Sequence, residues 1–290
     1  MKKRLIIIDA NSLIHRAFHA LPPLTTKKGE LVNAVYGFLL VFFRAIKDFQ
    51  PDYIVACFDF PAPNFRHQEY RQYKAKRPKA PIELYSQIPK VKEILKAFDV
   101  PIFEKEGFEA DDIIGTIAFL SPVETIILSG DSDTLQLVNA QTKVYSLRRG
   151  IKDIALYGET EVEEKYGILP SQLLDFKALR GDPSDNIPGV LGIGEKTAAE
   201  IIQGFGTIGN LYEEIEQNSD RAKKLKQGVK EKLVTNKELA FLSKKLVTIR
   251  KDVPLEFKIQ DAEWTGYNRQ KAEATLRQLE FFSLTEKLPD

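Results

Sequence analysis

Three carboxylates fall within four positions at Glu109, Asp111 and Asp112, directly ahead of Ile113, Ile114, Ile117 and Ala118. The apolar residues recur at helical spacing, which predicts a helix with an acidic first turn. Two readings compete. Acidic side chains are favoured beside the positive end of a helix dipole, and capping accounts for one or two of them. A third, on a helix apolar enough to be buried, turns like charges inward, and clustered carboxylates repel unless a cation holds them. The stretch alone leaves capping and metal binding open.

Other carboxylates stand where apolar runs end. Leu5 to Ile8 stops at Asp9, Tyr53 to Phe58 stops at Asp59, and Thr125 to Leu128 leads into Ser129-Gly130-Asp131-Ser132-Asp133. A short unbroken apolar run is the pattern of a strand buried on both faces. Asn33 to Phe49 is apolar all round (Val35, Tyr36, Phe38, Leu39, Phe42, Phe43, Ile46) and reads as a buried helix; Val91 to Phe98 reads as another. Strands alternating with helices predict a parallel sheet in an α/β unit. Ligand sites in such sheets form at the carboxyl ends of the strands, so these acids should share one edge. A lone aspartate after a strand is ordinarily a turn residue or cap. The same coincidence three times, with the acidic helix start, favours a shared metal site. The donors are all oxygens, there is no cysteine cluster, and the three histidines (His15, His19, His67) are scattered. Hard oxygen ligands suit Mg²⁺ or Mn²⁺ rather than zinc.

Between the second run and the helix at Val91 lies Pro61 to Pro89, rich in proline and in cations interleaved with aromatics: Phe65-Arg66-His67, then Tyr70-Arg71-Gln72-Tyr73-Lys74-Ala75-Lys76-Arg77. A solvated loop is one reading. A mobile segment that grips a phosphate backbone and stacks on bases is the other, favoured by its place between two parts of the acidic set. Thr142 to Leu156 reads as a hairpin around Arg148-Arg149-Gly150. From Glu159 the pattern is mostly helical, with a helix at Ser171 to Leu179 and another starting near Glu195. Gly192-Ile193-Gly194 ahead of the latter exposes backbone N–H groups, an anion site. With Lys196 and Thr197 in the first turn, this looks like a helix-hairpin-helix holding a DNA phosphate; the glycine spacing of a P-loop is absent. Arg221 to Lys251 adds a second basic region, so the net charge of +1 divides into a basic rim around an acidic centre.

With 290 residues, 43% hydrophobic and 29% charged, the chain can form one large domain or two smaller ones. The single cysteine, Cys57, excludes an internal disulfide, suits a reducing compartment and sits in an apolar run as a core residue. Met1 to Arg4 with Leu5 to Ile8 imitates a signal peptide, but Asp9 ends the apolar run too soon. No segment has the length to span a membrane, and a soluble cytoplasmic protein is expected. Trp264 and the run Leu276, Leu279, Phe281, Phe282, Leu284 read as core.

Taken together, Ile7-Ile-Asp9-Ala-Asn-Ser12, Asn33-Ala-Val-Tyr-Gly-Phe38, Phe58-Asp59, Phe65-Arg-His67, Tyr73-Lys-Ala75, Gly107-Phe-Glu-Ala-Asp-Asp112, Asp131-Ser-Asp133, Gly181-Asp-Pro-Ser-Asp-Asn-Ile-Pro-Gly189 and Gly192-Ile-Gly-Glu-Lys196 resemble, in order and spacing, the 5′-nuclease domain of bacterial DNA polymerase I, within the flap-endonuclease superfamily. The resemblance runs over nearly the whole chain. It implies a PIN-like or resolvase-like parallel sheet flanked by helices, with a helical arch and a C-terminal helical region containing a helix-hairpin-helix. The expected division is residues 1–158 as the metal-nuclease core, with the arch at about 61–89, and 159–290 as the DNA-binding region, with the hairpin motif at about 171–203.

The resemblance also assigns roles. Asp9, Asp59, Glu109 and Asp111 would hold a first ion; Asp131, Asp133, Asp182 and Asp185 form a second group, with Asp111 bridging and Asp112 in the same cluster. Lys74 matches a catalytic lysine and Arg66 a phosphate-contacting arginine. Arg71, Tyr73, Arg77, Gly192, Gly194, Lys196 and Thr197 are expected to contact DNA. Two or more Mg²⁺ ions are implied, with Mn²⁺ able to substitute, and a potassium ion at the hairpin. The activity implied is two-metal hydrolysis of DNA at a 5′ flap or 5′ single-stranded end, 5′→3′ exonucleolytic and endonucleolytic, giving a 5′-phosphate, in primer removal and repair. A monomer is expected. An excised domain once joined to a polymerase and a stand-alone nuclease both fit. The competing readings are a catalytically inactive DNA-binding module and a metal nuclease acting on RNA.

Overall fold

A computed structural model describes residues 2–289; Met1 and Asp290, the outer limits of the two expected units, lie outside the described residues. The chain opens with β1 (Arg4–Asp9), α1 (Ala10–Ala20), α2 (Asn33–Phe49) and β2 (Tyr53–Cys57). The arch segment carries two short helices, α3 (Phe65–Glu69) and α4 (Ile82–Tyr85), and is followed by α5 (Ile88–Ala97) and β3 (Ile102–Phe103). Then come α6 (Ala110–Leu120), β4 (Glu124–Ser129), a 3₁₀ turn (Ser132–Leu137) and the hairpin β5 (Thr142–Arg149) and β6 (Asp153–Tyr157). Among the described residues six strands form one sheet in the order β3-β2-β1-β4-β5-β6, parallel except for β6. From β1 the chain moves outward through β2 and β3, then crosses back to β4 on the other side. The order therefore reverses between β1 and β4, where a crevice opens at the strand ends.

Both faces of the sheet are covered. Leu5, Ile7, Val55, Cys57 and Ile127 pack on one side with Ile113, Ile114 and Ile117 of α6. Ile6, Ile8, Ile54, Ala56 and Leu128 pack on the other, against α1, α2 and α5. Alternate residues of a strand face opposite sides, so continuous apolar runs are what two covered faces require. The expected strands are thus present. Two elements were not anticipated. The helix α1 starts immediately after β1 because Asp9 ends the strand and caps the helix, its Oδ1 accepting from Ser12 N at 3.1 Å. β3 is only two residues long, too short to signal itself.

The second half continues with α7 (Glu159–Tyr166), α8 (Leu173–Arg180), α9 (Glu195–Phe205), α10 (Ile208–Glu216), α11 (Asp220–Lys223), α12 (Gln227–Thr235) and α13 (Lys237–Val247), and ends with α14 (Arg269–Gln278) and α15 (Phe282–Thr285). The hairpin between α8 and α9 is very tight. Gly181 and Gly189 both have left-handed φ (76° and 64°), and a Cβ on Gly189 would lie 2.3 Å from the Gly181 nitrogen. Only glycine fits there. The last helices do not stay with the helical region as expected. Trp264 Nε1 donates to Phe98 O at 3.1 Å and its backbone N–H to Asp52 O at 2.8 Å. Ala272, Leu276, Phe281 and Leu284 join the core formed by α2 and α5. Among the described residues no helix is long and apolar enough to cross a membrane.

Candidate metal centre

The register of the sheet brings the first acids together. Asp9 ends β1 opposite Cys57, two residues before Asp59. On its other side Ile8 pairs with Leu128, so Ser129 and Asp131 emerge beside Asp9. Ser129 Oγ donates to Asp9 Oδ2 at 2.6 Å and accepts from Asp131 N at 2.9 Å, tying the two strand ends. Asp59 Oδ1 accepts from Ala110 N at 2.8 Å, which draws the start of α6 to the same edge. The result is a cleft of about 740 Å³ lined by Asp9, Asp59, Glu109, Asp111 and Asp131, with Lys74 and Arg77 across it. His15 and His19 of α1 also face it; their positions depended on a helix the sequence had not revealed.

These carboxyls are held in an unfavourable state. Burial pushes Asp9 up to about 6. Burial and the neighbouring Asp133 push Asp131 up to about 7. Asp111 is raised well above the carboxylate range by burial and by Asp9, Asp131, Glu109 and Asp133 around it. Glu109 is different: burial would raise it, but Lys74 and Arg66 hold it below its ordinary value. Lys74 Nζ donates to Glu109 Oε1 at 2.7 Å and lies 3.8 Å from Asp185.

A second, smaller cavity of about 280 Å³ shares Asp131 with the first and is lined by Asp133, Asp182, Asp185 and Lys177. The two expected ligand groups therefore lie in adjoining cavities. Asp133 N donates to Asp131 Oδ1 at 2.9 Å, while Asp182 Oδ1 accepts from Ser184 Oγ at 2.6 Å. Asp185 Oδ1 is buried without a hydrogen-bond partner. Lys177, which the sequence reading passed over, reaches both Asp133 and Asp182. Its only signal was a lysine one turn before the Gly-Asp-Pro segment, indistinguishable from a surface lysine.

Asp112 and Arg66 sit elsewhere than expected. Asp112 is fully buried and bonded to both terminal nitrogens of Arg66, at 2.7 and 2.8 Å. It also accepts from Glu109 N and Arg250 N, so its oxygens are committed. Arg66, 2% exposed, spends its remaining donors on Leu246 O, Thr248 O and, at 3.4 Å, Glu109 Oε2. In this structure the guanidinium of Arg66 makes internal contacts, and both carboxylate oxygens of Asp112 are bonded within that junction. The capping explanation holds for Asp112 as well, since it closes a reciprocal cap with Glu109.

The arch crosses the cleft as a strap. Tyr73 was expected to contact DNA, but it is buried, its hydroxyl donating to Glu109 Oε2 at 3.0 Å and Asp185 Oδ2 at 3.2 Å. Lys74 adopts a left-handed φ of 55° and donates its backbone N–H to Asp185 O at 2.9 Å. Asn186 Nδ2 donates to Gln72 O at 2.7 Å. Arg71 and Arg77 remain exposed, Arg77 lying 3.3 Å from Asp185. At the hairpin, Gly192, Gly194 and Lys196 are exposed and Thr197 is half-buried, at the start of α9. Gly192 O accepts from Lys232 Nζ at 3.1 Å.

Among the described residues no three acidic, histidine or cysteine side chains stand ready to hold one ion. Lysine and arginine charges fill the spaces instead. The donor set nevertheless fits hard divalent cations: every group is a carboxylate, and Asp9, Asp111 and Asp131 crowd one another where burial penalises their charge.

A family model described as the 5′-3′ exonuclease N-terminal resolvase-like domain matches residues 4–167, and one described as the 5′-3′ exonuclease C-terminal SAM fold matches 168–270. The chain is similar to DNA polymerase I of Bacillus subtilis strain 168, 42% identical over 290 residues, 99% of this chain and 32% of that protein. It is similar at 41% over 266 residues to DNA polymerase I of Treponema pallidum, covering 90% of this chain and 26% of that one. The chain thus spans about a third of the length of such relatives. Its fold is similar to the T5 5′-exonuclease solved with divalent zinc (TM-score 0.70, 20% identity, 97% of this chain and 100% of that one). It is also similar to the catalytic core of Rad2 solved with DNA substrate (TM-score 0.63, 16% identity, 99% and 93%).

Proposed function

The chain belongs to the 5′-3′ exonuclease family, and from that premise we propose that it is a structure-specific 5′ nuclease that hydrolyses phosphodiesters at DNA 5′ flaps and 5′ single-stranded ends. The observation that carries this reading is the crowding of Asp9, buried, with Asp111 and Asp131, both half-buried, at the switch point of the sheet. Such a cluster costs stability unless a cation serves it. Asp9, Asp59, Glu109 and Asp111 would hold one divalent ion. Asp131, Asp133, Asp182 and Asp185 would hold another, Mg²⁺ or Mn²⁺ in each case. Held there, such a pair would supply a lowered pKa for a bound water and positive charge at the leaving 3′-oxygen.

The protein's own groups do the rest. Lys74 faces the cleft and supplies positive charge to the scissile phosphate. Arg66 positions the foot of the arch through Asp112. The hairpin, with Gly192, Gly194, Lys196 and Thr197, fixes a duplex phosphate, while Arg71 and Arg77 guide the strand beneath the strap. A potassium ion at the hairpin carbonyls belongs to the same reading, and it would compete with the Lys232 ammonium for Gly192 O. The product carries a 5′-phosphate. Primer removal and repair in the cytoplasm, by a monomer or by this segment of a longer polymerase, are the roles that fit. Residues 1–158 would act as the nuclease core and 159–290 as the duplex-holding region, apart from the last helices.

The experiment is cleavage of a labelled 5′-flap duplex with Mg²⁺, against chelator, a blocked 5′ end and single-stranded RNA, with Asp131→Ala as control. Mg²⁺-dependent release of the flap, lost in Asp131→Ala while DNA binding persists, is expected. Binding without cleavage would point to an inactive module, and preference for RNA would overturn the substrate assignment.

A further inference from the structure

Lys177 stands on α8, 8% exposed. Its ammonium donates to Asp133 Oδ1 and, at 3.1 Å, to Asp182 Oδ2. Asp131 and Asp185 complete the cavity around it.

Lys177 takes one oxygen of Asp133 and one of Asp182, and Ser184 takes the other oxygen of Asp182, so a divalent ion held by both carboxylates competes with the ammonium for those oxygens and for the space between them. Two cations cannot share so small a ring of oxygens without strong repulsion. We propose that Lys177 is the resident counter-cation of the second carboxylate group, and that it and the second divalent ion exclude one another. The inference rests on the metal assignment made above. The lysine stem is long and flexible, so the ammonium can move out to an anion. A substrate phosphate entering the cleft is such an anion, and the second ion is then taken up with substrate rather than ahead of it.

The test is Mn²⁺ binding by calorimetry to the DNA-free chain at neutral pH, in wild type, Lys177→Met and Lys177→Arg. Wild type should bind one ion well and a second roughly tenfold or more weakly, because of the resident charge. Lys177→Met should strengthen the second event by roughly tenfold, whereas Lys177→Arg, which keeps the charge, should not. Thermal melts give the second readout. Lys177→Met should be destabilised in chelator and recover in Mn²⁺, because the ion replaces the missing charge; a purely structural lysine would leave the same deficit in both. Should Lys177→Met not fold, Lys177→Gln serves as the neutral variant in both measurements. Unchanged or weaker second-ion binding in a folded neutral variant overturns the proposal while leaving the metal assignment intact. If wild type binds no divalent ion, the assignment itself falls, and this inference with it.

Discussion

Arg66 and Asp112 are joined by two parallel bonds, Nη1 to Oδ2 at 2.7 Å and Nη2 to Oδ1 at 2.8 Å, deep below the cleft. The pair ties three parts of the chain. Arg66 belongs to α3 at the foot of the arch, Asp112 to the first turn of α6, and between them they reach the end of α13 at Leu246 and the segment after it at Thr248 and Arg250. The acidic turn and the strap over it are thus held in register by this buried pair together with the contacts that Lys74 and Tyr73 make with Glu109.

Asp112→Asn leaves a buried guanidinium without its bidentate charge partner, with only Glu109 at 3.4 Å remaining. Breaking one side of such a pair costs about 3–5 kcal/mol. Urea unfolding should show a loss of that order, while Mg²⁺ affinity of the folded protein stays close to wild type. A normal unfolding midpoint with weakened Mg²⁺ binding would return Asp112 to the ligand set.

Lys74→Met removes the positive charge beside Glu109 without changing the length of the side chain greatly. Loss of one preorganised electrostatic group lowers turnover by roughly 10²–10³-fold. Single-turnover cleavage of a flap substrate should fall by that order, with a much smaller change in substrate affinity. An equal fall in both would make Lys74 a binding residue only.

Lys196→Ala tests the hairpin as a phosphate clamp. Each phosphate contact contributes about one to the slope of log affinity against log salt. Fluorescence anisotropy over a salt series should show weaker binding to flap DNA and a slope shallower by about one. An unchanged slope would place the duplex elsewhere.

The metal-free protein should depend on pH through Asp9 and Asp131. Their folded values, about 6 and about 7, lie above the unfolded value of about 4. Between those limits the folded state holds more protons than the unfolded state, so stability falls as pH rises through the window. Glu109 and Asp182, held low in the fold, act in the opposite sense, but below the window. Divalent ions bind the deprotonated acids. The gain in melting temperature from Mg²⁺ over chelator should therefore be larger at about pH 8 than at about pH 5. An equal gain at both would argue against these carboxyls as ligands.

The strands, and the acids at their ends, were legible because burial on both faces forces unbroken apolar runs, and a charge can appear only where the run stops. Asp9, Asp59 and Asp131 advertise themselves in this way. What lay hidden depended on partners distant in sequence. The Tyr73 ring reads as a stacking platform until Glu109 and Asp185 take its hydroxyl. Arg66 reads as a phosphate contact until carbonyls 180 and 182 residues away claim its donors. Lys177 is one lysine among many until the hairpin folds Asp182 back toward it. Helix α1 was missed because one residue, Asp9, both ends the strand and begins the helix, leaving no loop to mark the change.

The return of residues 264–288 to the first core bears on how the protein is made. Synthesis proceeds from the N-terminus, and domains generally fold as units. Every acid of the candidate centre has been added by Asp185, yet the layer formed by α2 and α5 still lacks Trp264, Leu276, Phe281 and Leu284. A nascent chain at that stage carries every acid of the candidate centre on a scaffold with one apolar face still half-covered. The covering of that face waits for the last helices, so the acids of the candidate centre are in place in the chain well before the scaffold beneath them is closed.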